Sequence, residues 1–278
     1  MHRERPFAQV DVFSEVALGG NPLAVVLDGG GLGDEAMARF ARWTDLSETT
    51  FVLPPTTPGA DLRVRIFTPT TELPFAGHPT LGTCHAWLEA GGRPADPGVV
   101  RMECGVGVVE VRRGAERLAF AAPPLRRSGS VDEETLGRVV AALRIAPDAV
   151  VDAAWVENGP AWIAILLTSP EEVLAIAPGY DDLDVGVVAP YPSGSEVALE
   201  VRAFFPQDGV LREDPVTGSL NAGIALWLLG AGRVRAPYVA AQGGAIGRAG
   251  RVHVDRDADG TTWIGGAATT VVRGTVDL

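Results

Sequence analysis

The sequence predicts an α+β protein of two similar halves, each wrapping strands around one buried helix. Three observations carry this. First, pieces of the chain recur at half its length. Arg65, Phe67 and Pro69 return as Arg202, Phe204 and Pro206 at an offset of 137, and Trp87, Leu88 and Gly92 return as Trp227, Leu228 and Gly232 at an offset of 140. A three-residue insertion reconciles the two offsets, and Pro22 in "NPLAVVL" stands 138 residues before Pro160 in "GPAWIAILL". Second, both halves are built of short runs rich in β-branched residues, bounded by turn formers. Third, each half holds one helical stretch whose composition suits an interior rather than a surface.

The elements follow in order. Strands are expected at Ala24–Leu27, Thr49–Leu53, Leu62–Phe67 and Val106–Arg112 in the first half. In the second half they are expected at Trp155–Val156, Trp162–Leu167, Ala198–Phe205 and Arg251–Val254. Asp34–Thr44 reads as a surface helix, with Asp34 as N-cap and Met37, Phe40 and Ala41 on one face. Glu133–Leu143 reads as its counterpart. The central helices are Pro79–Ala90 and Leu220–Leu229. The first has proline at its expected start and Gly91-Gly92 after its end. The second is apolar almost all round, and at about ten residues it is too short to cross a bilayer. The seam falls in "AAPPLRRSGSVDEE" (121–134), rich in proline and charge, giving domains of 1–127 and 128–278.

Composition narrows the function. The chain has 278 residues, 46% of them hydrophobic, and a net charge of −12. Nucleic acid and anionic membrane are poor partners for such a chain, because phosphate binding needs clustered cations. No signal peptide or spanning helix is expected, and two cysteines, Cys84 and Cys104, make no disulfide framework. A cytoplasmic protein with free thiols is the expectation. All 23 basic residues are arginine. Without lysine there is no Schiff base and no Walker-type phosphate loop. The four histidines (His2, His78, His85, His253) are scattered, and His78 and His85 lack the i, i+4 spacing of a helical zinc pair, so no metal is expected.

Chemistry is expected where the two buried helices begin, at "GHPT" and "EDPVTGS". A helix N-terminus carries unpaired N–H groups and partial positive charge. Two such termini facing one cleft would bind a carboxylate without lysine. Glycine at 77 and 218 lets a ligand approach the backbone. His78 has two readings, a structural histidine at a helix start or a group aimed into a cleft. Asp214 is either a helix cap before Pro215 or a functional carboxylate. Glu48, in "TDLSETTFVL", is either a solvated turn residue or a base. The placing of His78 and Asp214 at equivalent points of a repeated chain favours the functional readings.

"GGNPLAVVLD", "LSETTFVLP", "FTPTTELPFAGHPTLGT" and "EDPVTGSLNAGIALWL" resemble the signature blocks of the PhzF family, in order, from Val10 to Gly232. The resemblance implies a diaminopimelate epimerase-like fold of two pseudo-symmetric domains, each a barrel-like sheet around a central helix. It implies an active site between the domains, no cofactor and commonly a homodimer. The implied activity is a cofactor-independent isomerisation that moves a proton on a small unsaturated carboxylic acid, such as trans-2,3-dihydro-3-hydroxyanthranilate. Carried onto this sequence, Glu48 matches the family's general acid/base. His78 and Asp214 match its polar catalytic partners, and Gly77, Gly218 and Ser219 match positions around the substrate carboxylate. A base of this kind works best when burial or a second carboxylate raises its pKa. Related epimerases use a cysteine at each helix start. Neither start has one here, which disfavours a two-thiol racemase. A non-catalytic acid-binding or interaction protein of the same fold is the remaining alternative.

Overall fold

The computed structural model describes residues 3–207 and 209–278. Contacts divide the chain into two compact units. One runs to Ala121 and adds Gly265–Leu278, and the other is Ala122–Ile264.

In the first unit β1 (Glu4–Val12) pairs antiparallel with β2 (Asn21–Val26). The chain crosses through α1 (Asp34–Thr44) to β3 (Glu48–Leu53), which runs parallel to β2, as a helical crossover requires. β4 (Leu62–Phe67) returns antiparallel, and β5 (Glu72–Leu73) turns back on it. After α2 (Gly77–Glu89) come β6 (Val99–Cys104), parallel to β4, then β7 (Gly107–Arg113) and β8 (Leu118–Ala121) as antiparallel returns.

A short strand, β9 (Arg127–Ser130), and a helix, α3 (Glu133–Leu143), lead into the second unit. There the sequence of events repeats. β10 (Val150–Glu157) and β11 (Ile163–Leu167) pair antiparallel, and α4 (Pro170–Ala175) crosses to β12 (Val185–Pro190), parallel to β11. β13 (Leu199–Gln207) and β14 (Val210–Asp214) follow antiparallel, then α5 (Gly218–Gly230). β15 (Tyr238–Gln242) lies parallel to β13, and β16 (Gly250–Arg256) returns antiparallel, with β17 (Thr262–Gly266) after it. The last strand, β18 (Ala268–Asp277), pairs with β1 from Glu4↔Asp277 to Val12↔Ala268. β9 pairs with β10 in the same way. Gly265–Leu278 therefore pack with the first unit, where the sequence reading placed them in 128–278. The register along β1 is the physical reason.

Three other expectations change. Asp34 is the first residue of α1, not its cap. Gly33 holds the cap position with no side-chain bond, and the Asp34 carboxylate meets Arg65 Nη1 at 2.6 Å instead. By topology the counterpart of α1 is α4 rather than Glu133–Leu143, since α1 and α4 both join parallel strands. α3 instead packs Val139 and Leu143 into a core with Trp155, Ile163, Ile165 and Phe204. Finally, the central helices begin two residues earlier than expected, at Gly77 and Gly218. Pro79 is then the third helical residue, where its missing N–H still falls among the unpaired donors of the first turn.

Both central helices are interior. α2 packs against β1, β2, β3, β6, β7, β8 and β18. It is buried from Gly77 through Cys84, and α5 is buried from Gly218 through Ala225. Leu81 and Leu220 are each 0% exposed, a burial worth about 1.5–3 kcal/mol apiece. Each helix also carries a glycine at its sixth position. A Cβ on Gly82 would lie 2.6 Å from Leu23 Cδ2, and one on Gly223 would lie 2.6 Å from the Val156 carbonyl. These glycines let the first strands of each unit approach the helix axis.

One ion pair is also repeated. Arg65 on β4 grips Glu72 on β5 at 2.6 Å, and Arg202 on β13 grips Glu213 on β14 at 2.6 Å. Arg202 adds hydrogen bonds to the carbonyls of Val173 and Ile176 at 3.0 and 2.8 Å. No helix among the described residues is long and apolar enough to cross a membrane.

Candidate active site

The sequence-predicted residues fall into two clusters, one in each unit. In the first, Glu48 opens β3 beside Leu23 of β2. Its neighbours Thr49 and Thr50 are fully buried, and Thr50 Oγ1 accepts a hydrogen bond from Thr83 of α2 at 2.8 Å. This ties the strand start to the central helix. The Glu48 side chain is only 15% exposed and meets His78 Nδ1 at 3.4 Å. The solvated-turn reading of Glu48 therefore fails. At 3.4 Å the two groups are in electrostatic contact rather than a short hydrogen bond.

His78 is the second residue of α2 and is 3% exposed. Burial pushes its pKa down to about 3, so the imidazole is neutral at ordinary pH. A neutral imidazole donates at one nitrogen and accepts at the other. Facing an ionised Glu48 it donates from Nδ1 and presents a lone pair at Nε2. Facing a protonated Glu48 the roles exchange. Nε2 has no hydrogen-bond partner among the described residues. A buried polar atom left in this state is costly in a purely structural role, and it favours a site that a ligand completes. The Gly77 and His78 backbone stands at the positive end of the helix, with no side-chain cap from Ala76 to compete.

In the second unit, Asp214 ends β14 and is 8% exposed. It does not cap α5. Thr217 holds the cap position and donates its hydroxyl to Asp214 Oδ2 at 2.5 Å. Gly218 and Ser219 open the helix. Ser219 Oγ accepts from Trp162 Nε1 at 3.1 Å, and the Ser219 carbonyl accepts from Asn158 Nδ2 at 2.9 Å. With one lone pair taken by the indole, the Ser219 hydroxyl keeps a proton to donate. The equivalence of the two halves also shifts. Gly77 and His78 correspond to Gly218 and Ser219, the first two residues of each central helix, and Asp214 sits where the first unit has Leu73 at the end of β5. Asp214 thus has no counterpart carboxylate.

Sequence reasoning missed Trp162, Asn158, Thr217, Asn221 and Gln242. Thr217 and Asn221 lie inside the quoted "EDPVTGSLNAG" block and were open to inspection. Gln242 stands on a strand 25 residues from Thr217 and gave no local signal. Among the described residues no group of three or more His, Cys, Asp or Glu gathers to hold a metal, and His2 lies outside them. His85 meets Thr270 and Glu89 instead. Burial pushes the Cys84 thiol up to about 12, far from a reactive thiolate.

The family model described as phenazine biosynthesis-like protein (PhzC-PhzF) matches residues 10–274. The chain is 33% identical over 272 residues to the trans-2,3-dihydro-3-hydroxyanthranilate isomerase of Pseudomonas aeruginosa, covering 94% of this chain and 92% of that one. It is 34% identical over 246 residues to antisense-enhancing sequence 1 of Schizosaccharomyces pombe, covering 81% and 80% of the two chains. A solved structure from Pseudomonas aeruginosa, described as a predicted epimerase, superposes with a TM-score of 0.81 at 25% identity, over 98% of this chain and 99% of that one. The fold class expected from the sequence, an epimerase-like α+β fold, is the one found.

Proposed function

This chain belongs to the phenazine biosynthesis-like isomerase family, and from that premise we propose that it is a cofactor-independent isomerase moving a proton on a small unsaturated carboxylic acid. The observation that carries the proposal is the contact of buried His78 with the half-buried Glu48 at 3.4 Å, at the N-terminus of a buried helix. The substrate in this reading is trans-2,3-dihydro-3-hydroxyanthranilate or a related acid, the first being the compound in the name of a relative at 33% identity.

The groups divide the work as follows. Glu48, as carboxylate, removes a proton from carbon next to the conjugated system. The electron pair of that C–H bond delocalises over the system, and Glu48 returns the proton at another carbon of it. Nothing is gained or lost overall. His78, neutral, accepts from or donates to a hydroxyl or the developing charge on the substrate. The backbone at Gly77 and Gly218 and the Ser219 hydroxyl supply donors for the substrate carboxylate. That Asp214 and Ser219 serve the same substrate as Glu48 is part of the proposal, supported by the family resemblance and by the polar character of both helix starts. A cytoplasmic homodimer is the proposed working form.

The test is proton exchange. Wild-type protein is incubated in D₂O with trans-2,3-dihydro-3-hydroxyanthranilate, and deuterium at carbon is followed by NMR. Incorporation is expected. Glu48→Gln keeps shape but cannot take a proton, so its rate should fall by about 10²–10⁴-fold, with affinity for the acid retained. Binding without deuterium in the wild type would instead mark a non-catalytic acid binder. Near wild-type turnover in Glu48→Gln would remove Glu48 from the role of base.

A further inference from the structure

Asp214 is held by a hydrogen-bond chain whose direction is fixed by chemistry alone. Gln242, 1% exposed, is its centre. One end of the Gln242 amide faces two donors, the backbone N–H of Thr217 at 3.0 Å and Asn221 Nδ2 at 2.8 Å. The other end faces the Asp214 carbonyl at 3.2 Å, which only accepts. The first end is therefore the oxygen and the second the NH₂. Asn221 is fixed likewise, since Nδ2 also meets the Thr217 carbonyl at 2.9 Å. The Gln242 NH₂ then donates to Thr217 Oγ1 at 3.0 Å. With a donor on one side, the buried Thr217 hydroxyl turns to an acceptor, and among the described residues that is Asp214 Oδ2 at 2.5 Å. Turning elsewhere would leave a buried O–H unpaired.

We propose that Thr217 and Gln242 are positioning residues that hold Asp214 Oδ2 as a hydrogen-bond acceptor, so that a proton carried by this carboxyl sits on Oδ1. A proton exchanged by Asp214 breaks its bond to the donor and forms one to Oδ1, while the Thr217 hydroxyl keeps its own proton. A hydrogen bond donated to the charged form favours that form, so removing the Thr217 donor would shift Asp214 toward protonation relative to the intact chain.

The fold does not require the chain. β6 lies parallel to β4 as β15 lies parallel to β13, with Leu62 opposite Met102 and Leu199 opposite Ala240. Two residues further along, Cys104 stands in the first unit where Gln242 stands in the second. Leu73 likewise stands where Asp214 does. At these positions the first unit carries an apolar side chain and a thiol, and the thiol meets the Gly107 carbonyl at 3.4 Å instead. The network is therefore confined to the half that carries Asp214.

The inference rests on the reading above only in giving Asp214 a part in proton movement, and its test does not need turnover. Aspartate ¹³Cγ labelling, with Asp214 assigned through Asp214→Asn, follows the carboxyl through a pH titration by NMR. Thr217→Val keeps the shape of the side chain and removes the donor. Its Asp214 titration midpoint is expected about one pH unit above that of the wild type, the equivalent of one lost charge-assisted hydrogen bond. Thr217→Ser restores the hydroxyl and is expected to restore the midpoint. Thr217→Ala is the second variant, for use where Thr217→Val does not fold. It removes the same donor without adding charge, and the Asp214 midpoint is again expected to rise. An unchanged midpoint in the folded Thr217→Val or Thr217→Ala variant would overturn the proposal. With an active substrate, Thr217→Val should lower kcat more than it changes KM, and Thr217→Ser should restore it. Failure of the wild type to turn over trans-2,3-dihydro-3-hydroxyanthranilate would count against the proposed function and leave the titration result standing.

Discussion

The repeated ion pair offers a controlled comparison, because the two copies differ mainly in burial. Arg202 and Glu213 have side chains 5% and 6% exposed, while Arg65 and Glu72 are 17% and 43% exposed. Glu213→Gln leaves the buried Arg202 guanidinium without its ion-pair partner, facing carbonyls, the Phe204 ring and the more remote charge of Glu200. Breaking a buried pair from one side costs about 3–5 kcal/mol. Glu72→Gln leaves Arg65 with Asp34 at 2.6 Å and with water nearby. Its two hydrogen bonds to Glu72, at 2.7 and 2.6 Å, put it at the upper end of exposed pairs, about 1 kcal/mol. Equilibrium urea unfolding reads the difference. With a slope of about 1–3 kcal/mol per M, Glu213→Gln should lower the midpoint by about 1 M or more, and Glu72→Gln by a fraction of that. The double variant Arg202→Met with Glu213→Leu should recover most of the loss, since an apolar pair of similar size carries no stranded charge. Equal shifts for the two single variants, or no recovery in the double, would refute the assignment of the cost to desolvation.

Two further outcomes follow from the core and from the site. Gly82→Ala and Gly223→Ala should each destabilise by about 1–3 kcal/mol, because the added methyl meets Leu23 or the Val156 carbonyl at 2.6 Å; thermal unfolding of the two variants checks this, and a Tm equal to wild type would show that the helices shift without cost. His78 has a folded pKa of about 3, below its ordinary 6.5, so the unfolded chain binds the extra proton first. The stability that neutral His78 contributes is complete above pH 6.5 and is lost as pH falls toward 3, with a slope of up to about 1.4 kcal/mol per pH unit. His78→Asn should flatten that part of the stability curve, and an unchanged slope would place its origin in another group.

Much of the fold was legible because it depends on local pattern. Met37, Phe40 and Ala41 mark the inner face of α1 by their spacing alone, and all three are buried. α5, apolar almost all round, could only be interior. What escaped depends on partners distant in sequence. β18 reads "ATTVVRGTVD", and only its register along β1 places it in the first unit. α4 is six residues long, yet its Ser169–Glu172 capping box and Pro170 were visible in "SPEEVLA" and would have revealed it. At the site, Glu48 and His78 were legible through the motif blocks that hold them. Gln242 was not, because a glutamine in a strand acquires meaning only from the groups it meets. The pairing of His78 with Asp214 as equivalents followed their places at the two expected helix starts. Helix position, a property of the backbone, sets His78 against Ser219 instead.

The pairing of β1 with β18 bears on how the chain is made. A ribosome releases β1 before β18, with the whole second unit between them. Until residues 268–277 emerge, β1 can pair with β2 alone and its other edge stays open, carrying unpaired N–H and C=O groups that invite a stray strand. The second unit has no such wait, since β9 precedes β10 and is already present when β10 appears. The unit that emerges earlier is thus the one that completes its sheet later, and the interval is set by the time taken to translate its neighbour.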